Sequence, residues 1–190
     1  MTIERIVLGV SGASGIPIAV RTAEALSGAF AVHTIITDAA RTVLEYESGD
    51  TSALLDRFET ASSEIYDQDE LGASIASGSF DTAGMVVVPA SMNTVAGIAG
   101  GRAQNLLLRA ADVTQKEDRQ LVVVPRETPV SEVHLENLLA LRRRGVQIVL
   151  PVLGFYFDPQ SVDDMIDHVV PAVMADVTDI SIITVVAPGL

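Results

Sequence analysis

Five short apolar runs, rich in β-branched residues, alternate along this chain with longer segments of helical periodicity. The runs are continuously apolar, as expected of strands that are buried on both faces of a sheet. They predict strands over residues 6–10, 32–36, 85–88, 121–124 and 146–150. The periodic segments predict helices over residues 16–26, 39–46, 94–100, 103–115, 132–143 and 162–174. Because strands that alternate with helices form right-handed βαβ units, the pattern predicts an α/β fold with a parallel sheet covered on both faces.

The chain length of 190 residues suits one domain with a sizeable core. We therefore expect a single domain over residues 1–190, with the apolar segment 176–190 as a candidate oligomer-contact tail. The first apolar run is too short to cross a bilayer and continues into a glycine-containing loop, which indicates a strand rather than a signal peptide. These features predict a cytoplasmic protein with no membrane partner.

Acidic residues outnumber basic ones by 25 to 12, which gives a formal net charge of -13. This charge argues against nucleic acid or an anionic membrane as a partner bound through a general basic surface. Lys116 is the only lysine, and excess acid with almost no lysine suggests an acidic proteome in a high-salt cytoplasm. The chain has no cysteine, and its three histidines lack the spacing of metal ligands, so we expect neither thiolate catalysis nor a metal site.

Small, hydroxylic or charged residues follow each of the five predicted strands. In an open parallel sheet, ligands bind outside the carboxyl ends of the strands, so these positions are the candidate site. They are residues 11–15, Thr37 with Asp38, residues 89–94, residues 125–129 and residues 151–156.

The loop at residues 11–15 has the sequence Ser-Gly-Ala-Ser-Gly and leads from a predicted strand into a predicted helix. Glycines let a backbone approach an anion closely, and the amides at a helix start favour phosphate. Gly12 and Gly15 are separated by only two residues, which does not match the dinucleotide-binding Gly-x-Gly-x-x-Gly pattern. The loop therefore predicts a phosphate or cofactor site, with an ordinary strand-to-helix turn as the alternative.

The polar residues after the third predicted strand are Ser91, Asn93 and Thr94. Such residues are common helix caps, and as a site they would bind the polar edge of a cofactor. Both interpretations stay open at this point.

Arg126 and Glu127 lie between Pro125 and Pro129, which stiffen the loop after the fourth predicted strand. Arg126 together with Lys116 would supply cations for a leaving phosphate, and the Glu127 carboxylate would transfer a proton. A surface salt bridge is the alternative interpretation.

Tyr156 is a candidate site residue, because it follows the fifth predicted strand. Its hydroxyl would either contact a phosphate or form a hydrogen bond within the core. His134 and His168 fall inside helical patterns, and we interpret them as structural or interfacial rather than catalytic.

Taken together, eight segments resemble the UbiX/Pad family of flavin prenyltransferases. Each segment alone is weak evidence, but the ordered set is specific and spans most of the chain. The segments are 11–15 (Ser-Gly-Ala-Ser-Gly), 76–79 (Ala-Ser-Gly-Ser), 89–94 (Pro-Ala-Ser-Met-Asn-Thr), 105–113 (Asn-Leu-Leu-Leu-Arg-Ala-Ala-Asp-Val), 116–117 (Lys-Glu), 124–129 (Val-Pro-Arg-Glu-Thr-Pro), 134–137 (His-Leu-Glu-Asn) and 154–156 (Gly-Phe-Tyr).

The resemblance implies a flavoprotein domain with a Rossmann-like or flavodoxin-like three-layer sandwich, assembled as a homododecamer. It implies that reduced FMN binds between subunits as the acceptor of a dimethylallyl group, which comes from a phosphate or diphosphate ester. The group is joined to flavin N5 and C6 without a metal, and the product, prenylated FMN, serves UbiD-type decarboxylases.

The resemblance also implies roles for individual residues. It makes Lys116, Glu127 and Ser14 catalytic, with Glu127 transferring a proton. The matching FMN positions are Gly12, Ala13, Ser14, Thr37, Ser91, Met92, Asn93, Thr94 and Arg126. The matching substrate-phosphate positions are Lys116, Arg126, Tyr156 and Ala172.

Two positions depart from the family pattern. Ala172 stands where an arginine is expected to complete the phosphate site, and Asn93 stands where lysine or glycine is frequent. The departure at Ala172 supports one alternative, a noncatalytic FMN-binding or flavin-delivery paralogue. A less favoured alternative is a cysteine-type FMN decarboxylase, which would use a histidine in the segment that residues 74–85 occupy here without one.

Overall fold

The computed structural model describes residues 3–47 and 49–175 as a parallel sheet with helices packed on both faces. The predicted tail at residues 176–190 lies outside the described residues. In chain order, the elements are β1 (Arg5–Val10), α1 (Ile16–Ser27), β2 (Ala31–Ile36), α2 (Asp38–Glu47), α3 (Thr51–Ala61), β3 (Glu64–Asp67), a 3-10 turn (Ser74–Ala76), β4 (Gly84–Ala90), α4 (Met92–Ala99), α5 (Leu106–Lys116), β5 (Gln120–Pro125), α6 (Glu132–Arg143), β6 (Gln147–Ile148) and α7 (Val162–Ala175).

The six strands are parallel and lie in the order β3-β2-β1-β4-β5-β6. The predicted α/β sandwich is therefore confirmed, and this order is that of a doubly wound Rossmann-type sheet. From β1 the chain proceeds outward to β3 on one side, and then returns to β4 and proceeds outward on the other. The crevice between the carboxyl ends of β1 and β4 is the topological switch point, where such sheets bind ligands.

The sheet is buried on both faces, which explains the uninterrupted apolar runs. Along β1, Ile6 and Leu8 pack in the cluster that includes α1, whereas Val7 packs in the opposite cluster with Leu107 of α5. All three side chains are at most 2% exposed. Alternate residues of one strand thus enter two different cores, so a polar side chain on either face needs a hydrogen-bond partner within the protein.

Two elements, α3 and β3, were not predicted from the sequence. The β3 strand lies at the edge of the sheet, and Glu64 and Asp67 at its ends are exposed, so it lacks the apolar run of an interior strand. The Asp50 side chain caps α3 by accepting a hydrogen bond from the amide of Ala53, 3.0 Å away. That cap was a readable helix-start signal.

Several predicted element boundaries also differ from those in the structure. The helix predicted over 94–100 begins earlier, at Met92, and the helix predicted over 103–115 begins later, at Leu106. In each case a capping side chain fixes the start, because Ser91 accepts from the amide of Thr94 and Asn105 accepts from the amide of Leu108. The last predicted strand, 146–150, is reduced to the two residues of β6 at the sheet edge.

An ion pair joins the last described helix to the first. The Arg21 guanidinium of α1 donates to the Asp167 carboxylate of α7, with Nε 2.9 Å from Oδ1. Both side chains are more than one third exposed, so the pair contributes little stability, but it helps to fix the orientation of α7 on α1. Among the residues that the structure describes, no helix has both the length and the apolar composition needed to span a bilayer.

We predict that Gly84→Ala destabilises the sheet. A Cβ at residue 84 would overlap the carbonyl oxygen of Gln120, the paired residue of β5, and would lie 3.2 Å from its Cβ. Since the obstacle is backbone in the neighbouring strand, the substitution should lower the free energy of unfolding by about 1 to 3 kcal/mol. Urea denaturation measures the change, and Gly72→Ala is the control because a Cβ at residue 72 meets nothing within 4 Å. Equal stability of the two variants would contradict the prediction.

Candidate active site

The two loops at the switch point are joined by the side chain of Ser11, which sequence reasoning treated only as part of a glycine loop. Its hydroxyl donates to the carbonyl of Pro89 at 2.9 Å and accepts from the amide of Ser91 at 2.8 Å. Ser11 is only 1% exposed, so water cannot substitute for these bonds. The loop after β1 and the start of α4 are therefore held at a fixed separation, and the crevice is preorganised.

The start of α1, predicted from residues 11–15 to bind phosphate, already binds an anion of its own chain. The Glu47 carboxylate accepts from the amide of Gly15 at 3.0 and 3.1 Å and from the amide of Ile16 at 3.0 Å. A phosphate at these two amides would have to displace Glu47, so the amides are not an open cradle. Sequence reasoning missed Glu47 because no local motif reports a contact between residues 32 positions apart.

The remaining residues of this region have mixed roles. Gly12 allows close packing, because a Cβ there would overlap the side chain of Ala39. The buried Thr37 hydroxyl accepts from the amide of Ala40 at 3.2 Å and so caps the first turn of α2. Ala13 is 9% exposed, whereas Ser14 is half-buried at the crevice. Of this group, Ser14 is the residue that Arg126 contacts, through its carbonyl.

The segment after β4 was interpreted either as a helix cap or as part of a binding site, and the structure has features of both. Ser91 is the N-cap of α4: its oxygen accepts from the amide of Thr94 at 3.2 Å and lies 3.0 Å from the Thr94 hydroxyl. Met92 and Thr94 are buried, while Asn93 is exposed and has no side-chain hydrogen-bond partner among the described residues. The amides of Met92 and Asn93 belong to the first turn, where backbone donors have no partner inside the helix. Polar donors are thus concentrated at this side of the crevice.

Arg126 lies across the crevice from Ser14. Its amide donates to the carbonyl of Ala90 at 3.1 Å, and its Nε donates to the carbonyl of Ser14 at 3.3 Å. No carboxylate among residues 3–47 and 49–175 forms a salt bridge with its guanidinium. Glu127 instead accepts from the amide of Thr128 at 2.9 Å, so the alternative of an Arg126–Glu127 salt bridge is not what forms. Arg126 is an exposed cation available to an anion.

Lys116, Arg126 and Tyr156 were predicted to share one phosphate site. Within a single chain, these three residues do not come together. Lys116 ends α5 near the amino end of β5, whereas Arg126 follows the carboxyl end of that strand. Six residues at about 3.3 Å each separate the two ends by roughly 20 Å. A phosphate site containing all three residues cannot be built within a single chain.

Lys116 belongs to a second polar cluster at the opposite edge of the sheet, which we call the amino-edge cluster and define as residues 77–79, Lys116 and Glu117. The Lys116 ammonium forms an ion pair with Glu117, and this hydrogen bond, with the positive charge, lowers the pKa of the Glu117 carboxyl. Arg119 holds the loop in place by donating to the carbonyl of Gly78 at 2.9 Å. Gly78 lies so close that a Cβ there would be 2.7 Å from the Lys116 Nζ.

Tyr156 lies in the loop after β6, at the same edge of the sheet as Arg126, and is 84% exposed. Its hydroxyl oxygen is 3.2 Å from Nε2 of His168 on α7. Ala172, one helical turn beyond His168, is exposed. His168 is therefore in contact with a candidate site residue, which its interpretation as structural or interfacial did not anticipate.

Two buried titratable side chains, Tyr66 and His33, lie outside the crevice on the neighbouring strands β3 and β2. The Tyr66 hydroxyl donates to the Glu64 carboxylate at 2.6 Å and lies 3.0 Å from Nδ1 of His33. Burial, followed by the bond to Glu64, raises the pKa of Tyr66 to about 12, and burial lowers the pKa of His33. The neutral forms of both groups are thus favoured, as a structural role requires.

Two shallow depressions of about 320 and 240 Å³ run along α3, and neither is lined by residues of the crevice. Within the described part of the chain, no three histidine or carboxylate side chains converge as metal ligands. The crevice with Ser14, Asn93 and Arg126 is the candidate site on chemical grounds, since it combines a preorganised loop, hydrogen-bond donors and an unpaired cation.

Known proteins resemble this chain over most of its length. The chain matches the Flavoprotein family over residues 1–186. A probable UbiX-like flavin prenyltransferase from Streptomyces sp. (strain D7) is 49% identical over 176 residues, which cover 90% of this chain and 84% of the relative.

Two solved structures extend this comparison to the fold. AnUbiX (PadA1) in complex with FMN and dimethylallyl pyrophosphate superposes with a TM-score of 0.87 at 36% identity and covers 94% of each chain. A dodecameric FMN-dependent UbiX-like decarboxylase from Escherichia coli O157:H7 superposes with a TM-score of 0.84 at 42% identity, covering 90% of this chain and 92% of that one. The chain therefore belongs to the flavoprotein family, among the UbiX-like flavin prenyltransferases.

Proposed function

We propose that this protein is a flavin prenyltransferase that transfers a dimethylallyl group from its phosphate or diphosphate ester to N5 and C6 of reduced FMN. The observation that carries the proposal is the exposed Arg126 guanidinium, held beside Ser14 at the switch point without a carboxylate partner among the described residues. Membership of the UbiX-like family supports the same activity. The prenylated FMN product passes to a UbiD-type decarboxylase.

The residues present at the crevice fit a flavin mononucleotide. The amides of the first turn of α4 would bind the phosphate of FMN, since a helix start favours this anion. Arg126 would contact the flavin on the side that faces the allylic ester. Asn93 and Ser14 would bind polar edges of the ring, against the buried side chains of Ala13 and Met92. When bound, reduced FMN supplies the nucleophilic acceptor atoms. Glu47 keeps the Ser14–Gly15 backbone in place through the amides of α1.

The leaving phosphate needs fixed positive charge. Ionisation of an allylic ester concentrates negative charge on the phosphate, so cations held there lower the barrier. Arg126 offers two parallel N–H donors and Lys116 a compact charge. Glu127, exposed and held by the amide of Thr128, is the residue that we assign to proton transfer. Ser14, next to the amide that Glu47 holds, completes the catalytic set.

Because Lys116 and Arg126 lie at opposite edges of one sheet, we infer that the phosphate site forms between copies of the chain. The amino-edge cluster of one copy would face the crevice of another. Large exposed apolar residues within segments 130–139 and 150–162 are consistent with such assembly, since contact between copies would bury them. They are Val130, Val133, Leu135, Leu139, Leu150, Val152, Leu153, Phe155 and Val162. The dodecameric relative leads us to propose a homododecamer.

A second candidate function, a noncatalytic FMN-binding or flavin-delivery protein, is favoured by Ala172. The exposed methyl group at this position of α7 leaves the proposed phosphate site with one cation fewer than the family pattern contains. Such a protein would bind FMN but would not convert it.

Anaerobic turnover distinguishes the two functions. We expect protein incubated with reduced FMN and either dimethylallyl monophosphate or diphosphate to produce prenylated FMN, detected by mass spectrometry of the released flavin. Conversion with one ester and not the other identifies the donor. Bound but unmodified FMN with both esters would reject the prenyltransferase proposal in favour of the carrier.

Substitutions at the proposed catalytic residues should separate catalysis from flavin binding. We expect Lys116→Ala and Glu127→Gln each to lower the rate of FMN prenylation by at least about tenfold, because each removes a charge that acts mainly in the transition state. The FMN dissociation constant, measured by flavin fluorescence, should change little. Glu59→Gln is the matched control, since Glu59 is an exposed carboxylate of α3 away from the crevice. Wild-type rates in both test variants would show that these residues are not catalytic.

Mixed oligomers test whether the site is shared between copies. Oligomers of Lys116→Ala subunits alone or of Arg126→Ala subunits alone should prenylate FMN at a strongly reduced rate, whereas co-assembled subunits should recover part of the activity. With equal amounts and random assembly, about one quarter of the shared sites would contain both native residues. Absence of any recovery in co-expressed, co-purified oligomers would place both residues in the site of one copy, against the proposal.

A further inference from the structure

We propose that His168 is a positioning residue that orients the Tyr156 hydroxyl so that it donates a hydrogen bond to a phosphate oxygen of the allylic ester. This inference rests on the proposed function, in which Tyr156 contacts that phosphate. It concerns a group that acts through Tyr156 rather than on the substrate itself.

The first support is the packing of three rings. The His168 imidazole stacks on Phe157, with centroids 4.2 Å apart and planes inclined by 22°. The Tyr156 ring meets His168 edge-on at 5.4 Å and Phe157 edge-on at 5.6 Å. A tyrosine that is 84% exposed would otherwise sample several rotamers, and these contacts favour the one in which its ring meets His168 and Phe157.

The loop backbone at Gly154 packs closely against these three rings. A Cβ at Gly154 would lie 3.0 Å from Cε1 of Phe157 and 3.2 Å from both Nε2 of His168 and Cε1 of Tyr156. The backbone therefore approaches all three rings more closely than a larger residue would allow. The imidazole thus stacks on Phe157 and lies close to the backbone at Gly154, and its Nε2 is 3.2 Å from the Tyr156 oxygen.

The direction of this hydrogen bond decides what Tyr156 can do. A phenol has one hydrogen, and the oxygens of an ionised phosphate only accept. If Nε2 of His168 accepts from Tyr156, that hydrogen is not available to the ligand. If Nε2–H donates to the Tyr156 oxygen, the hydroxyl hydrogen is free to bind the phosphate. We assign the second arrangement to the substrate complex.

The composition of α7 makes His168 the natural source of this donor. Its polar side chains are His168 and three aspartates, and an ionised aspartate only accepts. Two of the three are already engaged, since Asp164 accepts from the amides of Gln160 and Ser161 and Asp167 binds Arg21. Ala172, on the same face one turn after His168, has no donor to offer. Through the hydrogen bond from His168 to Tyr156, α7 would therefore contribute to phosphate binding although Ala172 supplies no positive charge.

The test compares two replacements of the imidazole. His168→Phe keeps a ring to stack on Phe157 but removes the nitrogen, so the KM for the allylic ester should rise about fivefold to tenfold, the effect of one hydrogen bond. His168→Gln restores an N–H donor and should recover most of this loss. The FMN dissociation constant should be the same in all three proteins. An unchanged KM in His168→Phe, or no recovery in His168→Gln, would overturn the proposal.

A double-mutant comparison with Tyr156 distinguishes a positioning role of His168 from a role in general packing. If His168 acts through the hydroxyl, Tyr156→Phe and the double variant with His168→Phe should have the same KM, so the two effects do not multiply. Multiplying effects would mean that His168 acts by another route. Asp167→Asn is the control for looser docking of α7, because it weakens the pair with Arg21 and leaves the rings intact. A KM as high as that of His168→Phe in this control would also overturn the proposal.

A binding measurement keeps the inference testable if the wild-type protein does not prenylate FMN. Dimethylallyl monophosphate is titrated by calorimetry into FMN-loaded wild-type protein, His168→Phe and Tyr156→Phe, with inorganic phosphate as the second probe. The expected result is an equal loss of affinity in the two variants. Equal affinity in all three proteins would reject the role of His168, whereas absent turnover with this pattern of binding would reject only the proposed activity.

Discussion

The pair of hydrogen bonds made by the Ser11 hydroxyl is the interaction on which the candidate site depends. Parallel strands β1 and β4 are adjacent in the sheet, but their following loops would diverge, since the chain leaves them towards opposite sides. By bonding to both Pro89 and Ser91, Ser11 fixes the loop that carries Ser14 relative to the start of α4. Arg126 then spans the same crevice from the next strand. A ligand meets an arrangement that is already formed, which lowers the entropy cost of binding.

Sequence reasoning succeeded where a local pattern has a local cause. The interior strands were predicted because burial on both faces requires continuous apolar residues, as in β1 and β5. It failed at β3, where Glu64 and Asp67 are tolerated because the strand lies at the edge. Within the site, Ser91 and Thr94 were recognised because a cap joins residues three apart. Glu47 was not recognised, because its contact with the start of α1 depends on how α2 packs.

Lys116 illustrates a different limit of sequence reasoning. Its motif makes the residue a candidate for the phosphate site, but a motif does not say whether two candidate residues meet within one chain or between two. The fold answers this, because α5 runs antiparallel to β5 and delivers Lys116 to the edge opposite Arg126. A site containing both residues needs an assembly, and affinity for the donor phosphate would then be linked thermodynamically to the stability of the oligomer.

The acidic composition explains why individual cations matter. In a chain with a net charge of -13, a phosphate ligand is repelled at long range and needs local compensation. Several arginines are committed to structure: Arg21, Arg41 and Arg57 pair with carboxylates, and Arg119 binds carbonyls of the loop before β4. Among the described residues, Arg126 has no carboxylate partner and donates a side-chain hydrogen bond only to the carbonyl of Ser14. At α7, Asp167 pairs with Arg21 and Asp164 accepts backbone amides, and in our proposal His168 turns the Tyr156 hydroxyl into a directed donor. Weaker repulsion from these aspartates, together with an oriented Tyr156 hydroxyl, would hold a phosphate without the arginine that is absent at Ala172.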